Sequence, residues 1–161
     1  MISNINFGAA KINQIYVQRA VASEIQAIDK ITREKENRKA LPWIMKVTLK
    51  DAANNPQKNI LLVAKNKLGT IIGFARLYCR NDKTATFHEI AVSEAFKHQG
   101  VGKRLIEESS KLVKENGCEK IKFKSPIDLG QSHNFFAHLQ FIQSGIEKGK
   151  KRLLYIFEKK I

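Results

Sequence analysis

The chain has 161 residues, a hydrophobic fraction of 43% and a charged fraction of 27%, which is the size and composition of one ordinary globular domain. Its strongly apolar runs are only a few residues long, so no membrane-spanning helix is expected. The N-terminus has no basic segment followed by an apolar one, which argues against a secretory signal and predicts a cytoplasmic protein.

The net charge of +14 is the strongest compositional signal, with 29 basic residues against 15 acidic ones. The basic residues occur along the whole chain rather than in a tail. A diffuse positive field attracts polyanions, and these include nucleic acid, acidic protein surfaces and the phosphates of a nucleotide cofactor. The alternative is a well-solvated basic surface that has no anionic partner.

The residues that bind metals are few and dispersed. Cys79 and Cys118 lie on or next to predicted strands, without the short spacing of a metal site, and the four histidines are scattered singly. No metal site is therefore predicted, and both cysteines are expected to be structural.

The first third of the chain is predicted to form one strand and two helices. Residues 15–17 form a short apolar strand. Residues 24–35 place three isoleucines on one helical face. Pro42 suits the first turn of a second helix, which extends over residues 42–53.

The hydrophobic period then changes to that of strands, separated by turn residues. The remaining predicted elements are three consecutive strands at 59–65, 70–80 and 83–92, a helix from Val101 to its stop at Asn116-Gly117, a strand at 119–124, a helix at 131–139, and strands near 141–147 and 152–158. The order βααβββαβαββ predicts a mixed α/β sheet of six to seven strands with helices on both faces. No linker or repeat interrupts residues 1–161, so a single domain is expected.

The segment most informative about chemistry is a strand, a loop with two glycines and a helix. Such a loop presents backbone N–H groups at a helix N-terminus, where they and the helix dipole favour phosphate. Gly100 and Gly102 lack a Cβ, so a pyrophosphate is expected to approach the backbone closely. The basic side chains around the loop are Lys97, Lys103 and Arg104. On the loop alone, a tight turn that binds no ligand is the alternative.

Two segments together resemble a known family. Residues 97–102, Lys-His-Gln-Gly-Val-Gly, resemble motif A of the GNAT acetyltransferases, Gln/Arg-x-x-Gly-x-Gly/Ala, with Lys97 where the family prefers Gln or Arg. Residues 133–141 resemble the family's late helix, His-x-Phe-Tyr-x-x-x-Gly-Phe, with Phe136 replacing Tyr and Gln140 replacing Gly. The resemblance extends over about residues 59–157.

The resemblance implies that acetyl-CoA is the cosubstrate and lies between the fourth and fifth strands, which splay apart. The pantetheine arm is expected beside residues 90–92, and the pyrophosphate on the amides of residues 97–103. The residues expected at the cofactor are Ile90, Ala91, Val92, Lys97, His98, Gln99, Gly100, Val101, Gly102, Lys103 and Phe136.

The implied reaction is direct attack of a primary amine on the thioester. The amine must lose a proton, and Glu89 is the candidate base, the alternative being a strand glutamate that faces solvent. His88 is expected on the opposite face unless a bulge intervenes. Phe136 cannot donate a proton to the leaving thiolate as the family's tyrosine does, so a slow acetyltransferase is expected, with Tyr155 as one substitute donor.

Several alternatives stay open. The acceptor is a small-molecule or peptide amine of unidentified structure. One alternative to this enzyme is a non-catalytic CoA-binding module. Another is a nucleic-acid-associated acetyltransferase that acts, for example, on aminoacyl-tRNA. It is expected to be a monomer or a homodimer, and residues 153–157 would pair with a second copy if they lie at a sheet edge.

Overall fold

The computed structural model describes residues 14–40, 54 and 56–161 of the chain. The strands are β1 (Tyr16–Arg19), β2 (Asn59–Lys65), β3 (Ile71–Cys79), β4 (Thr84–Val92), β5 (Lys120–Pro126), β6 (Ile142–Lys148) and β7 (Leu153–Lys160). The α-helices with described bounds are α1 (Ile25–Thr32), α2 (Lys35–Ala40), α3 (Val101–Glu115) and α4 (Gly130–His138). Within this part of the chain, no helix has the length and hydropathy needed to cross a bilayer.

The seven strands form one sheet in the order β1-β2-β3-β4-β5-β7-β6. Strands β4 and β5 are parallel, and all other neighbouring strands in the sheet are antiparallel. The predicted mixed α/β sheet is therefore confirmed. Strand β7 lies between β5 and β6 and pairs with both of them. Residues 153–157 are consequently inside the sheet, and the edge position required for pairing with a second copy is not met by this strand.

Helices cover both faces of the sheet, as the order of elements predicts. Successive residues of a strand point to opposite faces, so β2 supplies Ile60 and Leu62 to the layer under α3 and Leu61 and Val63 to the layer under α1. The isoleucines of α1 are those predicted to share one face, and all are buried: Ile25, Ile28 and Ile31. Burial of each side chain of this size stabilises the fold by about 1.5–3 kcal/mol.

The helix predicted over residues 24–35 is confirmed as α1, which ends three residues earlier, at Thr32, and Lys35 begins α2. The turn between them contains Glu34, whose carboxylate accepts hydrogen bonds from Ser93 Oγ at 2.9 Å and from the backbone N of Glu94 at 2.6 Å. This long-range contact ties the turn to the segment after β4, and the local sequence pattern does not contain it. The helix predicted over residues 42–53 lies outside the described residues.

Gly73 on β3 has no room for a side chain. A Cβ at this position would be 3.0 Å from the carbonyl O of Ala91, 3.1 Å from Val101 Cγ1 and 3.2 Å from Leu105 Cδ1. We therefore expect Gly73→Ala to lower the free energy of unfolding by about 1–3 kcal/mol through overpacking. The matched control is Gly130→Ala, where a Cβ would meet nothing within 4 Å. Urea unfolding measures both variants, and equal stability of the two would contradict the close approach of α3 to β3.

Candidate active site

Strands β4 and β5 are neighbours at one end and diverge at the other. Their parallel pairing runs from Thr84 and Lys120 to Phe87 and Phe123. Strand β4 then continues for five residues and β5 for three, with no further pairing between them in this fully described part of the sheet. We call the space between residues 88–92 and residues 124–126 the opening. In open α/β sheets, ligands bind where neighbouring strands separate.

A β-bulge lies at the closed end of the opening. On β3, Arg76 pairs with Glu89 and Leu77 pairs with Phe87, so His88 has no partner in the ladder. The extra residue turns His88 and Glu89 toward the same face, which is the face covered by α1. The ring of His88 accordingly contacts that of Tyr78 at 6.3 Å between centroids. The expectation that a bulge would be needed to bring both side chains to one face is met.

Glu89 forms a buried, two-pronged ion pair with Arg76. Arg76 Nη2 donates to Glu89 Oε1 at 3.0 Å, and Arg76 Nε donates to Glu89 Oε2. Only 12% of the Arg76 side chain and 13% of the Glu89 side chain are exposed. Burial raises the pKa of the Glu89 carboxyl, and the hydrogen bonds and charge of Arg76 oppose that rise in part. Glu89 is therefore not a solvent-facing strand residue.

His88 is the functional candidate that strand alternation alone would assign to the wrong face. Partial burial of the ring lowers the pKa of His88 below its ordinary value of 6.5, and the charge of Arg76 lowers it further. The neutral imidazole is thus the favoured form near neutral pH, and a neutral imidazole accepts a proton.

The backbone of residues 90–92 borders the opening. The N–H of Ser93 donates to Ile72 O of β3 at 2.8 Å. Because alternate residues of a strand direct their N–H and C=O groups to opposite edges, the backbone of Ile90 and Val92 faces away from β3, toward the opening. The carbonyl of Val92 accepts a hydrogen bond of 3.0 Å from Asn37 Nδ2 on α2. The side chain of Ala91 packs in the layer under α1.

The glycine loop connects β4 to α3 and exposes the start of that helix. Gly100 is the residue before the first turn of α3, has a φ of +85° and makes no side-chain capping bond. This backbone conformation favours glycine, and the N–H groups of the first turn have no intrahelical partner. His98 also has a positive φ, of +60°. The side chains of His98, Gln99 and Lys103 are exposed, whereas Val101 is buried and offers only its backbone.

The charges around the loop are only partly compensated. Lys103 lies 3.9 Å from Glu107, and Arg104 lies 3.8 Å from Glu107 and 3.3 Å from Glu108. Lys97 has no ion pair among the described residues. The helix N-terminus and these cations together favour an anion at the loop.

Gly102 has a packing role that the sequence did not suggest. A Cβ on Gly102 would be 2.9 Å from Cζ of Phe135 on α4. A side chain at this position would displace the Phe135 ring, so the glycine favours the contact between α3 and α4 whether or not a phosphate approaches the backbone. Gly100, where a Cβ would meet nothing within 4 Å, is the cleaner position at which to test anion binding.

Phe136 is a core residue in this structure. Its side chain is 2% exposed, and its ring stacks on Phe123 at 4.0 Å between centroids. Phe141 and Phe157 complete the surrounding cluster of rings. The ring offers almost no surface to a ligand, so contact with a pantetheine arm stays a prediction for the ligand-bound state.

The metal-binding types of side chain are dispersed in the part of the chain that the structure describes. The described residues contain no cluster of three or more His, Cys, Asp or Glu side chains suited to a metal ion. Cys79 and Cys118 are free and buried. Burial and the neighbouring Cys79 raise the pKa of the Cys118 thiol to about 11.

Two surface grooves flank the loop without entering the opening. One, of about 560 Å³, lies between α3 and the end of α4 and includes Lys103 and His138. The other, of about 400 Å³, lies beside the β2–β3 turn and includes Phe96 and Gln99. We assign the candidate site to the opening rather than to either groove, because the buried ionisable pair borders the opening.

The sequence matches the model of the Acetyltransferase (GNAT) family over residues 12–141. The chain therefore belongs to the GNAT acetyltransferase family. A search of curated proteins found no match.

Solved structures with the same fold include three N-acetyltransferases. The PaiA N-acetyltransferase of Thermoplasma acidophilum, in complex with coenzyme A, is 18% identical with a TM-score of 0.77, over 91% of this chain and 99% of that chain. The ribosomal-protein-S18-alanine N-acetyltransferase of Escherichia coli is 15% identical with a TM-score of 0.76, over 91% and 94%. A GCN5-related N-acetyltransferase of Kribbella flavida is 18% identical with a TM-score of 0.77, over 92% and 99%. At these identities the likeness shows the fold.

The lowered pKa of His88 predicts a specific loss of stability in acid. Below the ordinary pKa of 6.5 the unfolded chain protonates at His88 before the folded chain does, so stability falls until the pH is below the folded-state pKa. We expect His88→Gln to remove this part of the loss, and His138→Gln, which alters an exposed imidazole on α4, to retain it. Urea unfolding at about pH 7.5 and about pH 5 measures the difference. An unchanged pH dependence in His88→Gln would contradict the environment described for this ring.

Proposed function

We propose that this chain transfers the acetyl group of acetyl-CoA to a primary amine by direct attack of the amine on the thioester. The observation that carries the proposal is the opening between β4 and β5. One end of the opening is bordered by the N-terminus of α3, and the other by the bulge that holds His88 and Glu89 on one face. Residues 1–161 are proposed to form one N-acetyltransferase domain, and a cytoplasmic location stays a prediction.

The residues around the opening fit acetyl-CoA, which supplies the activated acetyl group. The backbone amides of residues 97–103 and the cations beside them suit the pyrophosphate. The backbone of Ile90 and Val92 that faces the opening suits the amides of the pantetheine arm. The Val92 carbonyl can accept from the arm only after its hydrogen bond with Asn37 is broken. A CoA complex of a protein with this fold supports the assignment.

The face covered by α1 is proposed to receive the amine and its proton. An ammonium has no free electron pair, so a neighbouring group must accept a proton before attack. Glu89 remains the proposed base, and its raised pKa brings it nearer to this task. Both of its oxygens are engaged by Arg76, so His88, neutral and on the same face, is a second candidate for the proton acceptor.

One surface feature favours an acceptor attached to an anionic carrier. The end of β6 and the β6–β7 turn carry three exposed lysines that make no ion pair among the described residues: Lys148, Lys150 and Lys151. Residues 126 and 154 pair between β5 and β7, so this turn lies at the same end of the sheet as the opening. An amine on an RNA, such as aminoacyl-tRNA, is therefore a second candidate acceptor class beside small-molecule and peptide amines.

The cofactor assignment predicts opposite outcomes for two equivalent glycines. Gly100 and Gly117 have φ values of +85° and +88°, and a Cβ on either would meet nothing within 4 Å. Alanine at each should cost about 1–2 kcal/mol of stability through left-handed backbone strain. We expect only Gly100→Ala to weaken CoA binding, by about tenfold, because only that residue precedes α3 at the loop. Calorimetry with CoA measures this, and equal affinities would contradict the placement of the phosphates.

The reaction is tested by incubating the protein with acetyl-CoA and a panel of polyamines, peptides and aminoacyl-tRNA while CoA release is followed. We expect turnover of at least one amine. Either Glu89→Gln or His88→Gln removes the base. We expect that variant to lower kcat by about 10²–10⁴-fold with little change in CoA affinity. Unfolding is measured in parallel because Glu89→Gln leaves Arg76 buried and unpaired. A wild-type protein that binds CoA but acetylates no amine would support the non-catalytic alternative.

A further inference from the structure

A thiolate that leaves in the opening is stabilised by a hydrogen-bond donor near its sulfur. Phe136, at the position where the sequence motif has tyrosine, has no hydroxyl and is enclosed by other rings. The inference that follows rests on the proposed function and concerns which residue of this chain supplies the donor instead.

Ser125 on β5 is a buried hydroxyl without a partner. Its side chain is 1% exposed, and Oγ has no hydrogen-bond partner within the part of the chain that the structure describes. Buried hydroxyls are nearly always hydrogen-bonded in native proteins, because burial otherwise forfeits their hydration. The Ser125 hydroxyl is therefore available to donate a hydrogen bond to a ligand atom in the opening.

The strand registers place Ser125 beside the opening. Pairing between β4 and β5 ends at Phe87 and Phe123, so Ser125 lies in the last three residues of β5, which border the opening. The pairing of β5 with β7 is uninterrupted, so Ser125 shares the face of Phe123, which stacks on Phe136 of α4. Ser125 and Glu89 thus border the same space from opposite faces of the sheet.

We propose that the Ser125 hydroxyl donates a hydrogen bond to the sulfur of CoA and stabilises it as the thiolate leaves. The amine nitrogen forms a bond to the acetyl carbon, the carbon–sulfur bond breaks, and its electron pair goes to sulfur. The amine proton goes to the base on the face covered by α1. Ser125 keeps its own proton, so the thiolate is stabilised on the other face without a general acid.

Two titratable groups lie on the same face as Ser125. Tyr155 pairs with Ser125 across β5 and β7, and its ring contacts that of His133 at 5.1 Å between centroids. His133 Nε2 lies 2.9 Å from the carbonyl O of Pro126. Tyr155 is thus the competing donor, and the experiment includes Tyr155→Phe.

The test is an ultraviolet titration of the CoA thiol bound to the protein, which needs no acceptor. The protein is titrated with and without CoA, so that the thiols of Cys79 and Cys118 are subtracted. We expect Ser125→Ala to lower the acid dissociation constant of the bound thiol about tenfold relative to wild type. Affinity for CoA with its thiol protonated should stay within about twofold.

The matched control is Ser109→Ala on α3. Ser109 is the other buried serine whose Oγ has no partner among the described residues, and it is 0% exposed. Both alanine variants should be as stable as wild type or more stable, since each loses an unsatisfied hydroxyl, but only Ser125→Ala should shift the titration.

The outcomes separate this inference from the proposed function. A Ser125→Ala titration identical to that of wild type, or a shift seen only in Tyr155→Phe, would overturn the role of Ser125 while CoA binding stands. A shift of equal size in Ser109→Ala would overturn it as well, because the effect would then be indirect. Failure of the wild type to bind CoA would refute both the inference and the proposed function.

Discussion

Parallel strands stay paired only while both continue to exchange evenly spaced hydrogen bonds. In this sheet the exchange between β4 and β5 ends at Phe87 and Phe123, and the bulge at His88 follows at once. A bulge bends its strand and increases the local twist. The rest of β4 therefore turns away from β5 but stays paired with β3. The opening, the direction in which the backbone of Ile90 and Val92 faces, and the position of the glycine loop all depend on that divergence.

The bulge also sets the electrostatics of the face under α1. A carboxylate here is tolerated because Arg76, directly opposite on β3, donates to both of its oxygens. The same guanidinium favours the neutral form of His88. Further polar contacts join this face to the loop, since Glu34 binds the segment after β4 and Asn37 binds the last residue of β4. The end of β4 thereby connects the face proposed to receive the amine with the loop proposed to bind the phosphates.

The opposite face is organised by aromatic packing. The ring of Phe136 on α4 stacks on Phe123 of β5 and Phe157 of β7. The neighbouring Phe135 packs against Gly102 of α3. A residue that reads as a phosphate contact in the motif is therefore also a contact between two helices. Ser125 lies on this face as a buried hydroxyl without a hydrogen-bond partner among the described residues.

The order of strands and helices, the start of α3 after Gly100 and the mixed sheet were readable from the sequence, because periodicity and turn residues are local properties of the chain. The family was readable too, since two short motifs stand in the right order. The end of α1 at Thr32, the insertion of β7 between β5 and β6, and the shared face of His88 and Glu89 were not. Each depends on register and contacts between residues distant in the chain, as does the contact of Gly102 with Phe135, and a local pattern carries no information about such neighbours.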